Sequence, residues 1–543
     1  MNLRHVIVCA QLSLFGFLGS ALPTSPATAQ VSNPAPSDPS LFDNVINVPT
    51  DPDIDSFQSV GGDGFTTQLN LFDGGTIGSF FDADSGSEVN INGGLVESFL
   101  DANSGSVVNI FGGTLSAVDA NAGSAVNISG GSLLSLNADT GSAVNVTGGD
   151  LGAFVEAEAG SAVNISGGSV GNFVANPGSA VELIGGEFRL NGTAFSAPTI
   201  TLSPDDVFTG TLSDGSTFIF SNTRSSFVSG GDALSDVELT SATLPTLDLA
   251  PVVVSAANPI RPSGLRAGQT LTLQNGGDLG PRFNANDATL NIEGGSIGAG
   301  SSVTGSLVNI SGGSIGEDFN AFDSVVNISG GDVGIFFDAE AGSVVNITGG
   351  TFGGNFDANA DSVVNISGGA FPSTFNARVA GQVNISDGSF TSFVEIQNGS
   401  VANISGGSFE DARVDFGFGS TANISGGTFS DFDVFFDTDI NLIGSGFVLN
   451  GQELDSLLSI NVAFLIQDRD VTLSGLFADG TAFSFDLNSN SSFGDTFADA
   501  DFFSPNARLS VTLVPAAIPE PSSLTLLGLA GLILMVRQRK TIC

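Results

Sequence analysis

Val326-Asn327-Ile328-Ser329-Gly330-Gly331 is the clearest copy of a hexad that returns about every eighteen or nineteen residues. It recurs as Val126-Asn127-Ile128-Ser129-Gly130-Gly131, Val163-Asn164-Ile165-Ser166-Gly167-Gly168 and Val345-Asn346-Ile347-Thr348-Gly349-Gly350. Glycine pairs begin at Gly74, Gly93, Gly112, Gly130, Gly148, Gly167 and Gly185, and again at Gly276, Gly294, Gly312, Gly330, Gly349 and Gly368. The beat continues through Asp387-Gly388, Gly406 and Gly426. A fixed period of this size marks stacked repeats, in which a unit buries its apolar face only against its neighbours. Val326 and Ile328 lie two apart and share one face of a strand, while Asn327 and Ser329 point the other way. The glycine pair then supplies the positive φ of a sharp corner. A Phe-polar-Ala element follows, as in Phe81-Asp82-Ala83, Phe319-Asn320-Ala321, Phe337-Asp338-Ala339 and Phe356-Asp357-Ala358, with Phe and Ala expected to face inward. A turn such as Ala341-Gly342-Ser343 returns the chain to the next hexad.

A helical reading fails, because the apolar spacing is two and glycine interrupts every unit. The leucine-rich pattern is missing, and Gly312-Gly313-Ser314-Ile315-Gly316 misplaces the third glycine of a calcium β-roll nonapeptide. The fold expected is all-β: two tandem parallel β-helix (β-solenoid) arrays of 18–19-residue coils, each followed by a small antiparallel β cap. A three-sided, right-handed coil is favoured, although the repeat does not set the hand. All 45 aromatic residues are Phe, with no Tyr and no Trp. A narrow dry core explains this, since a buried Tyr or Trp needs a partner for its polar atom.

The arrays are expected over 61–190 and 266–446. Similar segments follow them: a cap and linker over 191–265 and a second cap over 447–514. Asp214-Gly215 and Asp479-Gly480, each between alternating apolar residues, signal hairpins. Caps are needed because the end of a solenoid is an open sheet edge. Residues 1–29 read as a secretory signal, with Arg4 and His5 before an apolar run and Ala27-Thr28-Ala29 as the cleavage site. Residues 30–60, rich in Pro, Ser, Asn and Asp, are expected to be a disordered leader.

Ile518-Pro519-Glu520-Pro521, the apolar run Leu524 to Val536, and then Arg537, Gln538, Arg539 and Lys540 close the chain. This tail, 515–543 with a short hydrophobic helix, closely resembles the PEP-CTERM sorting domain of Gram-negative bacteria. The resemblance implies an exosortase-type processing enzyme as partner and Pro519, Glu520 and Pro521 as its recognition residues. The basic cluster Arg537, Arg539 and Lys540 fits a cytoplasmic stop. The tail would then touch the membrane transiently, and the protein would reach the cell surface, outer envelope or extracellular matrix.

Between Gln30 and Val514 there is no Lys, His, Cys, Met, Tyr or Trp, and 55 acidic residues face nine arginines. This removes histidine bases, thiol nucleophiles and Cys/His metal sites. Nucleic acid is repelled. Two outward columns remain as candidate sites. Asp82, Asp101 and Asp119, with Asp338 and Asp357 as a second set, are candidate calcium ligands, because stacked carboxylates repel and a hard cation relieves them. The other column is Asn127, Asn145, Asn164, Asn309, Asn327, Asn346 and Asn365, each followed two residues later by Ser or Thr. It reads as an asparagine ladder or as a flat polar binding face. The function expected is that of an exported, non-catalytic structural or adhesive surface protein, with exopolysaccharide as a partner. The alternative is a calcium-dependent glycan-binding or ice-binding solenoid. A polysaccharide lyase or hydrolase comes third, since two carboxylates suffice for a glycosidase.

Overall fold

The computed structural model describes residues 35–222, 232–489 and 501–515, apart from 379 and 398. Its regular structure is almost wholly strand, with two single-turn helices, Pro39–Leu41 and Asp455–Leu457, among the described residues. The strands form two sheets, one from Asn44 to Ser241 and one from Val252 to Leu513. Packing divides the chain into two compact units, Met1–Ser343 and Val344–Cys543.

In the first unit every coil lies on its own equivalent. Val89 pairs with Val108, Val108 with Val126, Val126 with Val144 and Val144 with Val163, all parallel. One coil of the second sheet shows the three sides separately: Leu307–Ile310, Ser314–Ile315 and Phe319–Phe322. Valine and isoleucine of the hexad point inward and are buried, as are Phe81 and Ala83. The corner after the hexad needs glycine twice over. Gly131 has φ +80, and a Cβ there would stand 2.7 Å from the Gly112 carbonyl of the coil below. The opposite corner is closed by serine: the Ser106 and Ser124 hydroxyls donate to the carbonyls of Asn103 and Asn121, three residues back, at 2.7 Å.

The described part of the expected leader, 35–60, includes strand. Asn44–Val48 pairs in parallel with Thr67–Leu71, and Val48 is fully buried. Val45-Ile46-Asn47-Val48 thus forms the first rung despite its polar surroundings, because the Leu69 and Leu71 side would otherwise lie open.

Both arrays end in antiparallel caps. Ala180–Leu190 turns to pair with Val207–Leu212, which forms a hairpin with Thr217–Ser221 through Asp214-Gly215. In the second unit Asp439–Leu449 pairs with Thr472–Phe477, which forms a hairpin with Ala482–Asp486 through Asp479-Gly480. The turn aspartate has the same two tasks in each. Asp214 accepts from the N–H of Ser216 at 2.8 Å and from Gly168 at 2.9 Å. Asp479 accepts from Thr481 at 2.8 Å and from Gly427 at 3.1 Å. Each hairpin is therefore pinned to a glycine pair of the array it covers.

Within the first unit, the first cap also seats the opening coils of the second sheet. The Thr217 hydroxyl donates to the Asn284 carbonyl at 2.9 Å, and the Asn284 amide donates back to Thr217 at 3.2 Å. Arg266 grips Glu187 with two nitrogens at 2.6 and 3.0 Å, which holds the Glu187 carboxyl below its usual range. Arg282 meets Asp150 at 2.9 Å. Scarce arginines are thus spent where acidic coils approach one another.

The second unit has a different core. Where the first array places Leu115, Leu133, Leu151 and Val170, the second places Phe352, Phe371, Phe390, Phe409 and Phe429. Their rings stack with centroids 4.5, 4.7, 4.7 and 4.9 Å apart. Replacing Phe390, which has a ring on each side, by Ala is expected to cost about 3–5 kcal/mol. Phe390→Leu, which restores the first array's choice, is expected to cost less; denaturant unfolding of both variants measures the difference.

Candidate functional site

The hexads of the second unit build a polar cleft. Asn365, Asn384, Asn403, Asn423 and Asn441 occupy one position on successive coils. Each side-chain amide donates to the carbonyl oxygen of the Asn one coil earlier. The distances are 2.9 Å from Asn365 to Asn346, then 2.8, 2.9, 3.0 and 3.4 Å up to Asn441. The column ends in the cap, where Ser510 and Thr512 donate to the Asn441 oxygen at 3.3 and 2.8 Å. An Asn side chain has two N–H donors and two oxygen lone pairs. Within the column an Asn uses one donor and one acceptor, so Asn365, Asn403 and Asn423 each keep one N–H and one lone pair beyond the column bonds, while the Asn384 oxygen also accepts from Gln382 and the Asn441 oxygen is filled by the cap.

Two residues along, a second column runs beside the first. The hydroxyls of Ser367, Ser386, Ser405 and Ser425 donate to the isoleucine carbonyls one coil earlier, at 3.2–3.4 Å. Their oxygen lone pairs remain outward. The two columns line an open cleft of about 440 Å³; Ile366, Ile385 and Ile404, whose side chains turn into the core, run between them, and Ile443 joins at the cap end. No ionisable side chain lines it.

The columns expected from sequence are present within each unit. In the first, Asn70, Asn90, Asn109, Asn127, Asn145 and Asn164 each donate to the preceding Asn at 2.9–3.1 Å, back to Asn47. This column ends at Glu182, which stands in register with Asn164 and accepts from the Thr240 hydroxyl. Asn309 donates to Asn291 and Asn327 to Asn309, both at 2.9 Å. The first array has Phe111 at a serine position, and Asn90, Asn109 and Asn127 there are buried. Asn384, Asn403, Asn423 and Asn441 were not among the candidates. Ala402 and Ala422 replace the opening valine, Asp387 replaces a glycine, and Asn441 is followed by Leu442-Ile443, so the hexad is weaker there although Asn-Ile-Ser persists at 384, 403 and 423.

The acidic column is also in register: Asp82 pairs with Asp101, Asp101 with Asp119, Asp119 with Asn137 and Asn137 with Glu156. Burial, with Asp119 and Asp82 on either side, pushes Asp101 up to about 6. Burial and Asp139 also raise Asp119. Among the described residues no three acidic, His or Cys side chains converge as a metal site would. Asp338 stands in register with Asn320. Asp357 is buried and already has partners: the Asn376 amide donates to it at 2.6 Å and Arg378 pairs with it at 3.0 Å.

Residues 517–540 match the PEP-CTERM protein-sorting motif. Pro519, Glu520, Pro521, Arg537, Arg539 and Lys540 all fall inside this match, and like the signal segment 1–29 they lie outside the described residues. No curated protein and no solved structure matches the chain. No helix among the described residues is long and apolar enough to cross a membrane.

Two outcomes are expected. Asn384→Asp places a carboxylate against the Asn365 oxygen and costs about 1–3 kcal/mol at neutral pH; protonation restores a donor, so melts at pH 4 and pH 8 should show the loss mainly at pH 8. Asp101 binds its proton more tightly in the folded state, so its contribution to stability is full below about pH 4 and is lost as the pH rises through about 6. Asp101→Asn should therefore shrink the rise in melting temperature seen on going from pH 8 to pH 5.

Proposed function

We propose that this is a non-catalytic structural and adhesive protein of the surface or extracellular matrix of a Gram-negative bacterium, which holds a neutral exopolysaccharide in the amide cleft of its second unit. Its sorting motif marks an exported protein, recognised by an exosortase and directed to the cell surface. By that reading Pro519, Glu520 and Pro521 meet the enzyme while the apolar run is in the membrane.

The lining of the cleft carries the proposal. A sugar hydroxyl both donates and accepts, and the cleft offers amide N–H groups, amide oxygens and serine oxygens from Asn365/Ser367 to Asn423/Ser425. These repeat at the strand spacing, about 4.8 Å, which suits an extended polymer with a regular repeat. Without a charged group in the lining, a neutral chain is preferred. The acidic exterior repels anionic polymers by simple Coulomb repulsion. Hydrolysis or elimination needs acid–base groups beside the sugar, and the cleft presents amides and hydroxyls. Calcium has no part in this reading.

Calorimetry of the full chain in detergent with dextran, galactan and cello-oligosaccharides, and with polygalacturonate as the anionic control, tests it. At least one neutral glycan should bind saturably and polygalacturonate should not. Ser386→Phe with Ser405→Phe copies the first array's Phe111, so it should abolish binding and leave the melting temperature nearly unchanged. Failure of every neutral glycan, or binding that survives the double variant, would sink the proposal.

A further inference from the structure

The second cap carries an apolar rim that has no counterpart among the described residues of the first, 191–222 and 232–241. Leu457, Ile460, Val462, Phe464 and Leu465 are 70, 56, 56, 42 and 43% exposed. They fall on the loop after the Asp455–Leu457 turn and on the strand Ala463–Ile466. That strand pairs antiparallel with Arg508–Leu513. Thr199–Ile200 pairs antiparallel with Val237–Ser241 at the corresponding place in the first cap. With Ile200 matched to Ile466, Thr199 and Pro198 stand where the second cap has Leu465 and Phe464. The loop bearing Leu457 and Ile460 is longer than its counterpart, so the rim is a property of the second cap and not of caps in general.

Two further observations say what covers it. First, no acidic residue lies between Asp455 and Asp468, in a chain that carries 56. The rim segment 456–467 thus carries no charge of its own, so it does not itself repel a lipid headgroup layer. Second, the rim pairs with the last described strand, Arg508–Leu513. The Asn461 N–H donates to the Leu513 carbonyl at 2.9 Å, and Ala463 pairs with Thr512. Val514 follows, and the apolar run begins at Leu524. Ten residues reach at most about 35 Å, so the rim cannot be far from the bilayer that receives that run.

We propose that the rim Leu457, Ile460, Val462, Phe464 and Leu465 is a bilayer-contact surface, which seats the second unit on the lipid interface while the tail is inserted. The inference rests on the sorting-tail reading, though not on the glycan cleft. Exposed apolar side chains on a single loop and edge strand enter the interfacial region of a bilayer and add their buried area to the anchoring by the tail. Seated in this way, the cap would hold the Pro519–Pro521 segment close to the membrane surface, where a membrane-embedded processing enzyme works. Release of the tail would leave only this weak contact, and the ectodomain would depart.

The chain has no Trp or Tyr, so a single introduced Trp is the only indole reporter. Ile460→Trp and Phe464→Trp in the full chain, with Phe418→Trp as an exposed control on an earlier corner, are reconstituted into phosphatidylcholine vesicles with and without spin-labelled lipid. Co-flotation first establishes that the tail is inserted, which tests the sorting-tail reading separately. The proposal expects blue-shifted emission at 460 and 464, with loss of emission in spin-labelled vesicles, and neither change at 418. Water-like emission at 460 and 464 in floated protein would overturn it. So would a blue shift without lipid quenching, since a second copy or the chain's own tail would then be the cover.

Discussion

Hydrogen bonding between successive coils imposes one constraint from which the rest follows. Each backbone pairs with its equivalent one strand spacing away, about 4.8 Å, so at most core and ladder positions a side chain sits on a copy of itself or on one of its own kind. A residue type is favoured at such a position when it stacks well on its own kind. Val on Val and Phe on Phe satisfy this by burial and by offset ring contact. Asn on Asn satisfies it by the amide bonds that run from Asn47 to Asn164 and from Asn346 to Asn441. Asp on Asp does not, and the chain shows the consequence in the raised Asp101 carboxyl and in the Asn and Glu that interrupt its column. Stacking that helps the core thus limits how charge is distributed on the surface.

The same pairing that builds the stack leaves its ends exposed. Each cap answers with a hairpin whose turn aspartate reaches back to a glycine N–H of the array. Asp214 and Asp479 are equivalent in every respect except what lies beyond them. The first cap is covered inside its own unit by Asn284 and by the Arg266–Glu187 pair. The second opens its apolar rim toward the end of the chain. One duplicated device has therefore diverged into an internal joint and a terminal surface.

The repeat made the fold legible, because period, alternation and glycine pairs are local in sequence and each has a single geometric meaning. The cap hairpins were legible for the same reason in Asp214-Gly215 and Asp479-Gly480. What the sequence hid was long-range. Residues 44–48 looked like part of a leader because their partner strand lies more than twenty residues away. The ion pair of Asp357 with Arg378 was hidden because Arg378 sits on the next coil. The Asn/Ser columns were visible, but the cleft they line was not: it needs serine, rather than the phenylalanine of Phe111, on several successive coils. The apolar rim was invisible because nothing in residues 457–465 shows that their partner strand is the last one before the tail.

If register governs this protein, the amide columns are its most direct signature, and they are also the groups offered to a ligand. Proton exchange of the Asn side-chain amides, followed by NMR on asparagine-labelled full-length chain, reads both properties at once. The account requires the two protons of Asn365, Asn384, Asn403 and Asn423 to differ, one protected by the next coil and one exchanging freely, with the free one slowed when a neutral polysaccharide is added. Rapid, equal exchange of both protons at these residues would mean that the columns are not hydrogen-bonded, and the account of both stack and cleft would fail.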